Sequence, residues 1–262
     1  MRLLIRIPDM GLMTKMGIEM AVGSANRFGQ RIRTAVLSVF IALFAFCLPA
    51  AALEVGETIQ DSVSVGGFTM PLPAGVWTVY YINQSDDPEF PTAKVGLILE
   101  RGKIVRQAMY IRTARATKHT GFKPYPYCER PYYFYEETLA NQAGNVQQCW
   151  HMRAEALTGD GESSERYASL LEVSKRNGYF LPLTMIGARY HFANRSKTLR
   201  VSIGWNPDAI LRAPESKKVW RFEDWTADAI AADPRKKVIM TKFKKWSQDW
   251  LPNVENAFSQ SN

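Results

Sequence analysis

Reactive side chains are scarce in this chain. Its 262 residues include three cysteines and three histidines, and their placement excludes whole classes of chemistry. His119, His151 and His191 lie far apart and no H-E-x-x-H occurs, so a zinc site would need ligands gathered from distant segments. There is no G-x-S-x-G elbow to present a serine nucleophile and no C-x-x-C to carry redox or metal chemistry. The nearest approach to a phosphate-binding loop runs from Gly96 to Gly102-Lys103. It has one residue too many between its glycines, and Ile104 stands where Ser or Thr would hold magnesium. Neither a cofactor nor a metal is expected. Internal repeats, low-complexity tracts and long linkers are lacking too, which leaves one undivided domain as the simplest organisation.

Long apolar runs are equally rare, and the one present is informative. Ala35 to Leu48 is uncharged, follows Arg31 and Arg33, and ends in Pro49-Ala50-Ala51-Ala52. A basic flank, an apolar segment and an Ala-x-Ala site together read as a secretory signal peptide. Residues 1–52 are therefore an N-terminal extension and signal with its apolar core at about 34–52, and residues 53–262 are the exported domain. The competing reading is a retained anchor, because Thr34 to Leu53 approaches the roughly 20 residues that cross a bilayer. Pro49 and the alanines favour cleavage, since a spanning helix continues with larger apolar residues. Phe46 ahead of Cys47 argues against lipid attachment at that cysteine. Methionines at 1, 10, 13, 16 and 20 offer several starts, and Met20 gives a signal of ordinary proportions. The expected location is the periplasm or the extracellular medium, with membrane association only if the segment is uncleaved.

Without that extension, 27 basic residues face 23 acidic ones, a net charge of +4 against +8 for the whole chain. This mild excess in an exported domain gives no case for nucleic acid. All seven tryptophans lie in residues 53–262, and 46% of the whole chain is hydrophobic, which excludes a disordered chain. Only Cys128 and Cys149 remain there, and two isolated cysteines in an oxidising compartment pair as a structural disulfide.

Hydrophobic periodicity sketches the fold. Val76 to Ile82 reads as the first strand; Lys94 to Glu100 and Ile104 to Arg112 form a hairpin about Arg101-Gly102-Lys103. Tyrosines and prolines from Pro124 to Tyr135 suggest an irregular loop packed over the sheet and held by the disulfide. Val146 to Leu157 is a fourth strand, with Val146, Trp150, Met152 and Ala154 on one side and Cys149, His151, Arg153 and Glu155 on the other. After Gly159-Asp160-Gly161, a helix capped by Ser163 or Ser164 runs to Asn177. Leu183 to Phe192 and Thr198 to Trp205 form a second hairpin. A C-terminal helix starts at Asp233-Pro234 and carries Ile239, Phe243, Trp246 and Trp250 on one stripe. Pro252 should kink or end it, although Val254 and Phe258 continue the pattern afterwards; Lys236, Lys237, Lys242, Lys244 and Lys245 lie opposite the stripe, where they suit a solvated face or, as the alternative, an anionic membrane. The predicted class is α+β: a mainly antiparallel sheet built from hairpins, with one inserted helix and C-terminal helices packed on it.

One constellation points to binding. Those registers put Arg106, Tyr110 and Arg112 on one face of a strand, His151, Arg153 and Glu155 on that of another, and Arg189 with His191 on that of a third. Together they would make a basic patch whose arginine forks suit carboxylate or phosphate and whose tyrosine suits a sugar or lipid moiety. The competing explanation is the ordinary wet face of an antiparallel sheet. The leading functional expectation is a non-enzymatic periplasmic or secreted accessory protein that recognises an anionic envelope component or a partner protein. Carboxylates such as Asp160, Glu162, Asp224 and Asp228 allow a second, an envelope hydrolase using carboxylate and histidine. A third keeps the domain tethered as a subunit of an inner-membrane complex.

Overall fold

The computed structural model describes residues 53–118, 128, 134–142, 144–157, 163–211 and 219–261. The expected signal peptide, His119, most of the tyrosine and proline loop, and the Gly159-Asp160-Gly161 break lie outside these residues. Residues from Ala52 onward form one compact unit.

Its frame is an eight-stranded antiparallel sheet in the order β1-β4-β5-β6-β10-β9-β8-β7, with a separate β2-β3 hairpin. The sheet strands are β1 (Thr58–Ile59), β4 (Trp77–Ser85), β5 (Thr92–Arg101), β6 (Ile104–Arg115), β7 (Tyr135–Gln142), β8 (Val146–Ala156), β9 (Thr184–Asn194) and β10 (Lys197–Trp205). Strands β2 (Ser62–Val65) and β3 (Phe68–Pro71) form the hairpin. Helix α1 (Ser163–Asn177) follows β8, the single turn α2 (Pro207–Ile210) follows β10, and a 3-10 turn (Phe222–Trp225), α3 (Ala227–Ala232) and α4 (Pro234–Gln260) close the chain. This is the expected α+β class. Seven strands of the large sheet precede α1 or follow it as meanders, and β6 meets β10 where the two meanders join.

Turn chemistry fixes the hairpins. Gly102 and Lys103 both have positive φ, 62° and 64°, the backbone that a two-residue connection between β5 and β6 requires. Between β9 and β10, the Asn194 side-chain oxygen accepts from the backbone N–H groups of Ser196 and Lys197 at 2.9 Å each.

The two faces of the sheet are covered differently. On one, Leu97, Met109, Ile111, Trp150, Tyr190 and Val201 are almost wholly buried beneath α4, which contributes Ile239, Phe243, Trp250, Val254 and Phe258. Helix α4 packs on β3, β9 and β10. Tyr190 ties helix to sheet: its hydroxyl donates to the Ser247 carbonyl oxygen at 2.8 Å. On the other face α1 lays Leu170 and Val173 against Tyr80, Ile98, Val105 and Met185.

Four expectations are corrected. First, Val76 to Ile82 is not where strand structure begins: β1, β2 and β3 precede it, with Gly66 and Gly67 at φ 54° and 80° making the β2-β3 turn. Second, Val146 to Leu157 is the eighth of the described strands and not the fourth, because β1 to β3 and also β7, which starts inside the aromatic segment at Tyr135, precede it. Third, of the two outcomes expected at Pro252 the helix does not end there: it continues to Gln260, and Val254 and Phe258, which carry the pattern on, are buried. Fourth, Lys236 is buried and not solvated, its ammonium 4.7 Å from the Trp220 ring centroid and 5.4 Å from that of Trp225.

Candidate functional site

Strand register assembles the site. Across β6, β10, β9 and β8, Tyr110 faces Ser202, Ser202 faces Arg189, and Arg189 faces His151. The row on one side of it runs Arg112, Arg200, His191 and Cys149; the row on the other runs Ala108, Gly204, Gly187 and Arg153. All twelve residues share the face that α1 covers, because cross-strand partners and every second residue point the same way. Cys149 lies in its row bonded to Cys128, with Cα atoms 5.5 Å apart and both residues buried.

Glu155 is the centre of charge. Arg153 Nε donates to its Oε1 at 2.9 Å and Arg189 to the same oxygen at 3.0 Å, while Arg189 Nε donates to Ser202 Oγ at 3.0 Å. Burial alone would push the Glu155 carboxyl up, but the Arg189 and Arg153 charges, the hydrogen bond from Arg153 and the Arg166 charge outweigh it and hold it at about 2. Helix α1 supplies Arg166, whose guanidinium carbon lies 4.4 Å from the Tyr110 ring centroid. It donates to no described hydrogen-bond partner. Nearby, burial pushes the Tyr80 hydroxyl up to about 12, partly offset by the Arg166 charge, so the tyrosine remains a donor at neutral pH.

These groups border a cavity of about 1030 Å³. Small residues create its floor: Ala108 and Gly204 line it, and at Gly204 a Cβ would come within 2.9 Å of the Met185 Cβ. Tyr80 can lie across the sheet because Gly96 has no side chain; a Cβ there would be 2.5 Å from the ring. One part of the cavity is rimmed by Tyr80, Tyr110, Arg153, Arg166, Tyr167 and Arg189, and another by Met109, Met152, Ile203, Trp225, Ile230 and Met240. At its rim Lys244 stands 3.8 Å from the Tyr135 ring centroid.

Of the residues expected from sequence, Tyr110, Arg153 and Arg189 border this cavity. Arg112 and His191 lie one row away, and His151 sits in the Arg189 row between them and the cavity residues. Both histidines are buried. Burial, then Arg189 and Arg153, lowers His151 to about 3, and burial followed by Arg200 does the same to His191, so neither carries charge at neutral pH. Arg106 stands apart, its guanidinium donating to the Ala209 carbonyl oxygen of α2 at 2.8 Å. Sequence reasoning missed Arg166 and Tyr80 as site residues. A signal for Arg166 existed: it precedes Leu170 and Val173 by four and seven residues, the spacing of the buried stripe of α1.

The arrangement is suited to holding an anion. Three arginines surround one carboxylate, and the planar donor forks of arginine match carboxylate and phosphate oxygens. Among the described residues no group of three or more His, Cys, Asp or Glu side chains is placed to hold a metal ion. No described helix is long and apolar enough to cross a membrane. Compared with protein-family models, with curated proteins and with solved structures, the chain matches none.

Proposed function

We propose that this chain is an exported, non-catalytic binding protein that captures an anionic component of the cell envelope in the cavity between β8 and α1. Export rests on the leader-like composition of residues 1–52 and on the Cys128–Cys149 disulfide, which belongs to an oxidising compartment. In this reading residues 53–262 act in the periplasm or outside the cell after the leader is removed.

The observation that carries the binding role is the imbalance around Glu155. Arg153 and Arg189 share its carboxylate, and Arg166, stacked on Tyr110, contributes a further fork aimed at the same region. An anion entering there exchanges water for charge-assisted hydrogen bonds in a partly desolvated site. Catalysis has less support. A glycosidase needs two carboxylates, one of which keeps its proton near neutral pH, whereas among the described residues Glu155 is the only carboxylate bordering the cavity and is held ionised.

Titrating the purified exported protein with 1-naphthyl phosphate, read by tryptophan fluorescence, tests this directly because Trp225 borders the cavity. Saturable binding that weakens with salt, is absent for neutral 1-naphthol and is lost in Arg166→Glu at unchanged thermal stability is the expected result. No binding to the unmodified protein would overturn the proposal.

A further inference from the structure

Five consecutive residues of one strand and its exit, Arg153, Ala154, Glu155, Ala156 and Leu157, border the same cavity. Successive residues of a strand point to opposite faces, so the border of the cavity draws on both sides of β8. Among the described residues, register leaves that part of the β8 edge unpaired. Strand β7 pairs with β8 from Gln142↔Val146 only as far as Tyr135↔Met152, and no described strand continues along Arg153 to Ala156. Phe134 N–H donates to the Met152 carbonyl, which sets the outward parity; the N–H and C=O groups of Ala154 and Ala156 then point away from β9.

The cavity therefore joins two environments. On the α1 face are Arg153, Arg166, Arg189 and the tyrosines. On the α4 face it is bordered by Met109, Met152, Ile203, Trp225, Ile230 and Met240. Met109, Met152 and Ile203 belong to the main core and are each 1% exposed. These three side chains are close-packed, whereas Ile230 and Met240 are only partly buried; the cavity as a whole, about 1030 Å³, is far larger than a compact anion fills. Methionine, unbranched and polarisable, adapts to a flexible apolar partner. A compact anion would occupy the arginine side alone and leave this apolar border uncovered.

We infer that the ligand is a single-chain anionic amphiphile, its headgroup held by Arg166 and Arg189 and its hydrocarbon chain laid along the apolar border of the same cavity, at Ile230 and Met240. This rests on the anion-binding reading proposed above and adds the chemical class of the ligand. Its headgroup is a phosphate or a carboxylate; both present the oxygen pair that an arginine fork takes.

The test is a chain-length series on the exported protein: butyl, octyl and dodecyl phosphate, with laurate as the carboxylate arm and dodecanol as the uncharged control, all below their aggregation concentrations. Affinity is expected to rise about threefold per methylene until that border is covered, for phosphate or for carboxylate, with dodecanol far weaker. Met240→Ser and, independently, Ile230→Asn should flatten this rise, lowering affinity for dodecyl phosphate far more than for butyl phosphate. Equal affinity for butyl and dodecyl phosphate would overturn the amphiphile and leave the anion site standing. Failure of every anion, 1-naphthyl phosphate included, would overturn both. Dodecanol binding as tightly as dodecyl phosphate would assign the cavity to neutral lipid and also overturn the inference.

Discussion

Arg189 faces His151 across the β8-β9 ladder, yet its guanidinium donates to Glu155, four residues further along β8, at 3.0 Å. The diagonal reach passes over Gly187, which pairs with Arg153 and where a Cβ would meet the Glu155 carboxyl carbon at 3.6 Å, an ordinary van der Waals distance. One carboxylate thus collects two arginines, one from its own strand and one from the neighbour.

Glu155→Gln separates a structural role for this cluster from a binding role. The Glu155 carboxyl, held at about 2, is ionised at neutral pH and neutralises part of the arginine charge. Its removal should cost about 1–2 kcal/mol, discounted because the side chain is 23% exposed, yet tighten 1-naphthyl phosphate several-fold. Urea unfolding and titration of the same preparation check both. A variant that loses stability and binds no better would mean the arginines serve Glu155 alone.

Acid should weaken the fold in a defined window. His151 and His191 titrate near 3 in the folded protein against 6.5 ordinarily, so between those limits the unfolded chain binds more protons. Their contribution to stability is complete above pH 6.5 and falls as pH drops toward 3, by on the order of 1 kcal/mol per pH unit for each histidine. Glu155 adds a loss of the same sign between about 4.5 and about 2. Urea midpoints measured from pH 7.5 to 4 should decline, and His151→Phe with His191→Phe should flatten the upper part of that decline. A midpoint level from pH 6.5 to 4.5 would contradict the burial of these two rings.

Opening the Cys128–Cys149 bridge should lower stability by about 3 kcal/mol, from the entropy of a 21-residue separation. Paired Cys128→Ala and Cys149→Ala substitutions, followed by urea denaturation beside the oxidised protein, provide the measurement. An unchanged midpoint would show that the bridge does not constrain the unfolded chain.

Much of the sheet was legible because its central strands are buried on one face and mixed on the other. The alternation of Leu199, Val201, Ile203 and Trp205 with Arg200, Ser202 and Gly204 is the alternation of register seen in β10. Strand β7 was not legible: it is an edge strand whose Glu136, Thr138, Leu139, Asn141 and Gln142 are exposed or only half-buried, so burial imposes little pattern on it. The β2-β3 hairpin did carry a signal, Val63, Val65, Phe68 and Met70 about Gly66-Gly67, but its strands have four residues each. Lys236 shows the opposite failure. Its charge suggested water, and the Trp220 and Trp225 rings that surround it come from a segment that helix periodicity does not reach. In the site, register brought Tyr110, Arg153 and Arg189 together as the alternation implied, whereas Arg106 was drawn to the Ala209 carbonyl by the turn after β10, a tertiary event beyond pattern.

The account stands or falls on where an anion binds. Side-chain NMR of the exported protein, following the arginine Nε–Hε and methionine methyl resonances during addition of 1-naphthyl phosphate, measures that location. Shifts at Arg166, Arg189 and Met185, which border the cavity, with Met70 unmoved beneath the β2-β3 hairpin, are the predicted result. Saturating shifts confined to residues away from the cavity, with Arg166 and Arg189 unchanged, would contradict it.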